Sequence, residues 1–307
     1  MKVMISRKPK DGPWGGGNLF IKGLEKCLKS RGHQVFYEFT QDLDFIFMID
    51  PRPSDYGVSV NEILQYKHYF PKTQIVHRIN ECDKRKGTNN LDPILLQCTD
   101  HVDHVIFISE WLQKYFIDKG LRRNDTSVVY NGCNTEHFNF KKNDKITTLS
   151  KVHLVTHHWS DNMMKGYDFY QKIDEMLPEL GWEFTFIGRF CKDIKVNNIN
   201  LIGPSTGHEL AKNIKLGNIY ITASKWEPCG MHHIEGAACG LPVVYHTDGG
   251  GINEGCARYG KSFSNLNTFI DAVNHIKENY KDYVENIENI DLSVKSCCEK
   301  YCEIVGL

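Results

Sequence analysis

The feature of this sequence that most constrains its fold is a repeated alternation of two kinds of segment. Short apolar runs rich in Val, Ile and Phe are each followed by an amphipathic stretch with helical periodicity. This alternation is typical of βα units, in which helices connect parallel strands and cover the sheet. A chain of 307 residues is long enough for two such domains, each with its own core. We therefore expect an α/β protein built from two Rossmann-like doubly wound domains.

The first expected domain covers residues 1–145. Its predicted strands are Lys2–Ile5, Gln34–Glu38, Phe45–Ile49, Gln74–Arg78, Val105–Ile108 and Ser127–Tyr130, and its predicted helices are Asn18–Lys29, Val60–Tyr69 and Ser109–Lys119. A polar and charged stretch, KKNDKITTLSK at 141–151, then interrupts the apolar periodicity. Such a composition is typical of an interdomain linker.

The second expected domain covers residues 146–307. Its predicted strands are Val152–Thr156, Glu183–Gly188, Asn200–Ile202, Ile219–Thr222 and Pro242–His246, and its predicted helices are Tyr167–Leu177, His208–Ile214, Met231–Cys239 and the segment from Leu266 onward. Ligands of doubly wound folds bind outside the carboxyl ends of the parallel strands. We therefore expect both domains to face a cleft that holds the functional site.

The composition of the chain limits which binding partners and which cellular compartment we expect. Lys and Arg total 37 against 38 Asp and Glu, which gives no reason to expect nucleic acid as the partner. The eleven cysteines are odd in number and unevenly spaced, unlike the disulfide framework of a small secreted domain. No run of about 18 apolar residues is present. We expect a cytoplasmic protein, and peripheral contact with a membrane through an amphipathic face stays open.

The most specific segment is 227–254, in which Glu227 precedes a predicted helix and Glu235 lies inside it. Eight residues of helix span about 12 Å, so the two carboxylates suit different parts of one long ligand. The N–H groups at a helix start favour phosphate, and a carboxylate such as Glu235 can accept two hydrogen bonds from a ribose. Gly249, Gly250 and Gly251 add a loop whose backbone can approach a ligand closely. These features together favour a nucleotide-sugar donor.

The stretch EPCGMHHIEGAACGLPVV resembles the Glu-x7-Glu signature of retaining group 1 glycosyltransferases, which have the two-domain GT-B architecture. The resemblance implies that Glu235 binds the ribose of the donor and that Glu227 is a catalytic residue close to the transferred sugar. It also implies that the backbone N–H groups near Gly230 and Met231 face the sugar or the phosphate. In this family a terminal helix commonly returns to the first domain.

A second likeness lies in VTHHWSDNMMKGYDFYQKI, where the family has a strand, an arginine and a Lys-Gly pair that opens a helix. The resemblance implies that Lys165 binds the diphosphate of the donor, although an exposed lysine without a ligand is the plain alternative. The arginine is absent, and residues 157–160 occupy its place. We expect His158 to be the donor-binding substitute there, only partly charged at neutral pH because histidine titrates near pH 6.5.

The first half carries two further candidates. PWGGGNLF follows the first predicted strand, and the resemblance implies that Gly16 and Gly17, together with Gly15, approach the donor; a tight βα connection is the alternative. VHRINECDKRKG should place His77 at the carboxyl end of a strand, facing the cleft. The family often presents a histidine there, so His77 is a catalytic candidate, against a residue that only caps the strand.

The sequence thus predicts a retaining hexosyltransferase that moves a sugar from a nucleoside-diphosphate sugar to the hydroxyl of a glycan, lipid or protein, without cofactor or metal. Three alternatives stay open. One is a protein of the same fold that binds nucleotide sugars without turnover, and another is a GT-B epimerase or inverting transferase. The third is a metal site, for which the spacing of the candidate ligands is unfavourable; these are Cys229, His232, His233, Cys239 and His246.

Overall fold

The computed structural model describes residues 1–10, 16–140 and 149–307. They form two compact units, one of Met1–Gly132 with Val294–Leu307 and one of Cys133–Ser293. The division therefore falls earlier in the chain than the predicted boundary at 145/146. Most of the predicted linker, at 141–148, lies outside the described residues.

The first unit contains a six-stranded parallel sheet in the order β2-β1-β3-β4-β5-β6. Its strands are β1 Lys2–Ile5, β2 Gln34–Phe36, β3 Phe45–Met48, β4 Gln74–Ile79, β5 His104–Phe107 and β6 Thr126–Val128. The chain moves outward from β1 to β2 and then back to β3 on the other side. The gap between β1 and β3 is therefore the switch point at which folds of this type bind ligands.

Helices cover this sheet, and the last of them comes from the end of the chain. They are α1 Gly16–Ser30, α2 Val60–Tyr69, α3 Asp83–Lys86, α4 Asp92–Thr99, α5 Glu110–Asp118 and α12 Val294–Val305. The last helix packs on α1, where Gly23 lets the two backbones approach: a Cβ on Gly23 would lie 2.7 Å from Val294 Cγ2. The cluster buried here includes Cys298, Tyr301 and Cys302.

The second unit contains a six-stranded parallel sheet in the order β9-β8-β7-β10-β11-β12. Its strands are β7 His153–His158, β8 Glu183–Gly188, β9 Asn200–Ile202, β10 Ile219–Thr222, β11 Val243–His246 and β12 Gly260–Phe263; its helices are α6 Tyr167–Leu180, α7 Gly207–Ile214, α8 His232–Ala238, α9 Ile252–Cys256, α10 Leu266–Glu278 and α11 Tyr280–Glu288. The direction of winding reverses between β7 and β10, which makes their carboxyl ends the ligand-binding edge.

The predicted fold class, two doubly wound α/β units, is confirmed. Four elements, α3, α4, α9 and β12, were not predicted, and the predicted helical segment from Leu266 onward divides into α10, α11 and α12. These elements are short or carry little apolar periodicity. Strand β12 has the sequence GKSF, in which only Phe263 is buried, and its pairing with β11 makes it a strand. A strand that is defined mainly by its partner strand cannot be predicted from the local sequence pattern.

Candidate active site

The candidate site of the second unit lies at the carboxyl ends of β7 and β10, the switch point of its sheet. Between β7 and α6 runs a short 3₁₀ helix, Met163–Lys165, which ends at Gly166 with a φ of 87°. A Cβ on Gly166 would lie 2.4 Å from Ala223 Cβ, so only glycine permits this approach to the loop after β10. The backbone hydrogen bond from Lys225 N to Met164 O, 2.8 Å long, joins the same two loops.

Lys165 and Glu227 form an ion pair at this edge. Lys165 Nζ lies 2.6 Å from Glu227 Oε2, and the two side chains are 10% and 13% exposed. Removal of most of the surrounding water strengthens the attraction between the two charges, although it also costs desolvation energy. The structure thus brings together two residues that the sequence placed in the donor site from separate motifs.

The backbone around Glu227 is held by the glycine-rich loop that follows β11. Glu227 N donates to Gly249 O at 2.8 Å, and Trp226 N donates to Asp248 O at the same distance. Trp226 has a φ of 52°, an unusual conformation for a residue with a side chain. Gly250, with a φ of 77°, passes so close that its Cβ would lie 3.0 Å from the Trp226 backbone. A strained residue held by its surroundings is typical of functional sites.

Glu235 lies in α8 and bonds to a histidine at the end of β7. His157 Nε2 lies 2.6 Å from Glu235 Oε2. A carboxylate only accepts hydrogen bonds, so Nε2 carries the proton and donates it. In the described part of the chain no hydrogen bond engages Glu235 Oε1, which leaves that oxygen for a ligand.

Tyr220 of β10 fixes the ring of His157 from the other side. Its hydroxyl lies 3.0 Å from His157 Nδ1 and accepts a hydrogen bond from His157 N at 3.1 Å. Burial raises the pKa of Tyr220 well above its ordinary value, so the hydroxyl keeps its proton and can donate to Nδ1. Tyr220 and Glu235 together fix the orientation of the His157 ring.

His158, the predicted donor-binding histidine, is 3% exposed and bonds through Nε2 to Tyr170 OH at 2.9 Å. Its ring packs among aromatic side chains, and the ring of His232 lies 4.9 Å away, centroid to centroid. Successive residues of a strand point to opposite faces of the sheet, so His157 and His158 have different surroundings. His157 is the one that contacts Glu235.

Gly230 and Met231 immediately precede α8, which begins at His232. A Cβ on Gly230 would lie 2.7 Å from the His232 ring and 2.9 Å from Glu227 Cγ, so the backbone packs directly on the site residues. Met231 is buried, with 8% of its surface exposed. Burial lowers the pKa of His232 well below its ordinary value, and the nearby Lys165 adds to this effect.

The remaining predicted residues lie in the first unit. His77 is completely buried within β4, which continues through Arg78 and Ile79, so it does not end the strand as the sequence suggested. Among the described residues neither ring nitrogen of His77 has a hydrogen-bond partner, and burial lowers its pKa to about 3. Gly16 and Gly17 begin α1 and line a pocket. Gly15 lies outside the described residues.

Within residues 1–10, 16–140 and 149–307, no group of three or more His, Cys, Asp or Glu side chains is arranged to hold a metal ion. Over the same ranges, none of the helices combines the length and the apolar character that crossing a membrane requires. All eleven cysteines lie in the described ranges and are buried, and none of them forms a disulfide bond there.

Comparison with known proteins places this geometry in a wider class. The family model for Glycosyl transferases group 1 matches residues 190–290, which include both glutamates. A curated relative from Klebsiella pneumoniae, described as an uncharacterized 41.2 kDa protein in cps region, is 25% identical over 170 residues. That match covers 52% of this chain and 46% of the relative, so it spans about half of each.

Solved structures resemble the chain over nearly its whole length. HepE from Anabaena in complex with UDP-glucose has a TM-score of 0.72 at 14% identity, covering 100% of this chain and 99% of its own. The catalytic domain of starch synthase IV from Arabidopsis thaliana, bound to ADP and acarbose, has 0.71 at 12%, covering 99% and 98%. Sucrose-phosphate synthase from Thermosynechococcus elongatus has 0.69 at 13%, also covering 99% and 98%.

These likenesses define the class of the fold, which is GT-B, the architecture with two Rossmann-like domains. The family model adds a likeness over part of the chain, since residues 190–290 match Glycosyl transferases group 1. His157 was predicted only as one of the residues 157–160 in the place of the missing arginine, and Tyr220 was not predicted as a site residue. The one available signal was the position of His157 at the end of a strand.

Proposed function

We propose that this protein transfers a sugar from a nucleoside-diphosphate sugar to the hydroxyl of an acceptor, with retention of configuration and without a resident metal ion. The observation that carries the proposal is the meeting of Lys165, Glu227 and Glu235 at the switch point of the second unit, within a group 1 domain. Structural relatives that hold UDP-glucose or ADP support the choice of donor class.

The residues of the second unit have distinct roles in donor binding. Glu235 accepts hydrogen bonds from the ribose hydroxyls through Oε1, while His157 holds Oε2 and thereby fixes the orientation of the carboxylate. Lys165 faces the diphosphate, and Glu227 positions its ammonium group. The backbone at Gly230 and Met231 faces the sugar or the phosphate, as the family resemblance implies. His158 supports this edge from inside through its bond to Tyr170.

In the transfer step, the bond between the anomeric carbon and the donor phosphate breaks and a bond to the acceptor oxygen forms. The electron pair of the broken bond goes to the diphosphate, and the acceptor proton passes to the leaving phosphate oxygen. The positive charge of Lys165 stabilises the negative charge that grows on the leaving group. Glu227 stands near the transferred sugar without acting as a nucleophile.

The experiment is a screen of nucleotide sugars by thermal shift, followed by a transfer assay with the donor that binds. A ligand at 100 times its dissociation constant adds about 2.7 kcal/mol of stability, a readily measured shift. Glu235→Ala and Lys165→Ala should each weaken donor binding by about tenfold, the loss of one charge-assisted contact. Arg122→Gln, at an 83% exposed side chain of the first unit, is the control and should bind as the wild type. Unchanged nucleotide affinity in both site variants would overturn the assignment.

A further inference from the structure

The site residues of the second unit form two pairs that carry no net positive charge. Lys165 forms an ion pair with Glu227, and His157 is hydrogen-bonded to Glu235. The summed charge of both pairs is zero if His157 is protonated and negative if it is neutral. A nucleoside diphosphate is itself negatively charged, so its binding at this edge calls for a further cation.

The segment directly after β7 does not supply this cation. Residues 157–160 are HHWS, and the next lysine or arginine along the chain is Lys165 itself. The ring of His157 is held by Glu235, while His158 is 3% exposed and packs inside the unit among aromatic rings. The additional positive charge therefore has to come from a strand that lies beside β7.

Arg189 directly follows β8, the strand that pairs with β7. Gly188 ends β8 in register with His158, and its φ is 119°. The two backbones lie so close that a Cβ on Gly188 would be 2.2 Å from His158 O. Arg189 N donates a hydrogen bond to that same oxygen at 3.0 Å. The backbone of Arg189 therefore lies against the segment that follows β7.

The hydroxyl of Tyr167 fixes this arrangement from inside the unit. Tyr167 is completely buried, and its hydroxyl oxygen lies 2.7 Å from Arg189 O and 2.8 Å from Ser160 O. Burial raises the pKa of Tyr167 above its ordinary value, so the hydroxyl keeps the proton that it shares between these carbonyls. One buried side chain thus joins the loops after β7 and β8 and holds the backbone of Arg189.

The side chain of Arg189 is exposed, in contrast to its fixed backbone. Among the residues that the structure describes, no carboxylate pairs with its guanidinium group. Lys225, which follows β10, lies at the same edge of the sheet but lines a cavity of about 420 Å³ together with His246 and Asn265. Arg189 is therefore the cation that stands next to the segment after β7.

We propose that Arg189 binds the diphosphate of the donor together with Lys165. The inference rests on the proposed function and deepens it by naming a second cation for the same ligand. A guanidinium group binds two phosphate oxygens at once, and Arg189 gives up no ion pair to do so. Its fixed backbone lowers the ordering cost of the contact. The charge that a sequence motif places on the strand β7 loop is here supplied by the neighbouring loop after β8.

The test measures binding by calorimetry to wild type, Arg189→Gln and Arg189→Lys. The ligands are UDP, ADP and GDP, the nucleoside of each, and inorganic pyrophosphate as a probe without a base. Arg189→Gln should bind the nucleotide and pyrophosphate about tenfold more weakly, about 1.4 kcal/mol, and the nucleoside unchanged. Arg189→Lys should lose less, because it keeps the charge without the planar fork.

A matched control removes an equal charge from the opposite edge of the same sheet. Arg258 is exposed and lies between α9 and the amino end of β12, so Arg258→Gln should bind every ligand as the wild type does. The melting temperature of each variant without ligand establishes that it is folded.

The outcomes separate this inference from the proposed function. A nucleotide that binds Arg189→Gln as tightly as the wild type overturns the role of Arg189 and leaves the transferase proposal intact. An equal loss for nucleotide and nucleoside contradicts a phosphate contact and also overturns it. Pyrophosphate binding that depends on Arg189, with no nucleotide bound, supports the anion contact and overturns the transferase proposal. A wild type that binds none of the ligands overturns both.

Discussion

His157 and Glu235, which lie 78 residues apart in the chain, are joined by a hydrogen bond of 2.6 Å between Nε2 and Oε2. Through Tyr220 on its other nitrogen, His157 is itself oriented from β10. The carboxylate proposed to bind the ribose is therefore aimed by two neighbouring strands, β7 and β10. Preorganisation of this kind lowers the ordering cost of binding.

This relationship predicts the behaviour of His157 variants. His157→Ala should weaken nucleotide binding by about tenfold because the carboxylate loses its fixed orientation. His157→Gln, whose amide NH₂ can donate in place of Nε2–H, should retain more of the affinity. Dissociation constants for the bound nucleotide and for its 2′-deoxy analogue measure the effect.

The loss of affinity for each of the two nucleotides shows whether His157 acts on the contact between Glu235 and the ribose. If His157 acts by orienting Glu235 toward the ribose, the loss in His157→Ala should be smaller with the 2′-deoxy nucleotide, since part of the contact is already gone. An equal loss with both nucleotides would contradict a role at the ribose and indicate general damage to the site.

Because Lys165 and Glu227 form an ion pair, a substitution of Glu227 should affect stability more in the empty protein than in the protein with bound nucleotide. Glu227→Gln should lower the stability of the empty protein by about 3 kcal/mol, because the ammonium group loses a partly buried counter-charge. A bound nucleoside diphosphate should restore part of this loss. The ligand-induced rise in melting temperature should therefore be larger than in the wild type, and a smaller rise would argue against a phosphate at Lys165.

Because two histidines are buried in their neutral form, we predict that the protein becomes less stable as the pH is lowered. Burial lowers the pKa values of His77 and His233 to about 3, whereas histidine in the unfolded chain takes up a proton near pH 6.5. Below pH 6.5 the unfolded state therefore binds more protons, and each of these histidines lowers the free energy of unfolding by about 1.4 kcal/mol per pH unit. Their contribution is complete above pH 6.5 and is lost progressively toward pH 3.

Urea unfolding between pH 7.5 and 5 provides the measurement for this prediction. In His77→Gln, the free energy of unfolding should fall less steeply with decreasing pH than in the wild type, by about 1.4 kcal/mol per pH unit, because one proton fewer is taken up on unfolding. His275→Gln, at an exposed position, serves as the control. An unchanged slope in His77→Gln would mean that His77 becomes protonated in the folded protein.

Because Gly236 lies against the ring of Tyr220, we predict that a larger residue at position 236 destabilises the protein through a steric clash. A Cβ on Gly236 would lie 2.3 Å from the Tyr220 ring, so Gly236→Ala should destabilise the protein by about 1–3 kcal/mol despite the higher helix propensity of alanine. Because Tyr220 orients His157, nucleotide affinity should fall as well. Gly203→Ala, where nothing lies within 4 Å of the added carbon, is the matched control in urea unfolding and nucleotide titration.

Much of the fold could be predicted because its signals are local. Five predicted elements match the structure at both ends: Lys2–Ile5, Val60–Tyr69, Glu183–Gly188, Asn200–Ile202 and Ile219–Thr222. Ser59 caps one of them through a side-chain bond to Glu62 N, a contact that depends only on residues near in sequence. Elements without such signals, such as β12, were missed because their partner strand defines them.

The candidate site likewise contains some residues that the sequence identified and others that only the tertiary structure revealed. The sequence identified Glu227, Glu235 and Lys165 as candidate site residues through its resemblance to group 1 glycosyltransferases, because such motifs are readable along the chain. Only the tertiary structure decided which histidine contacts Glu235 and that Tyr220 orients its ring. These contacts join residues that are 78 and 63 positions apart, and they depend on which face of β7 and β10 each side chain occupies. A period-two strand pattern does not reveal which of two adjacent histidines points toward the ligand, since that choice is made by packing between strands and helices.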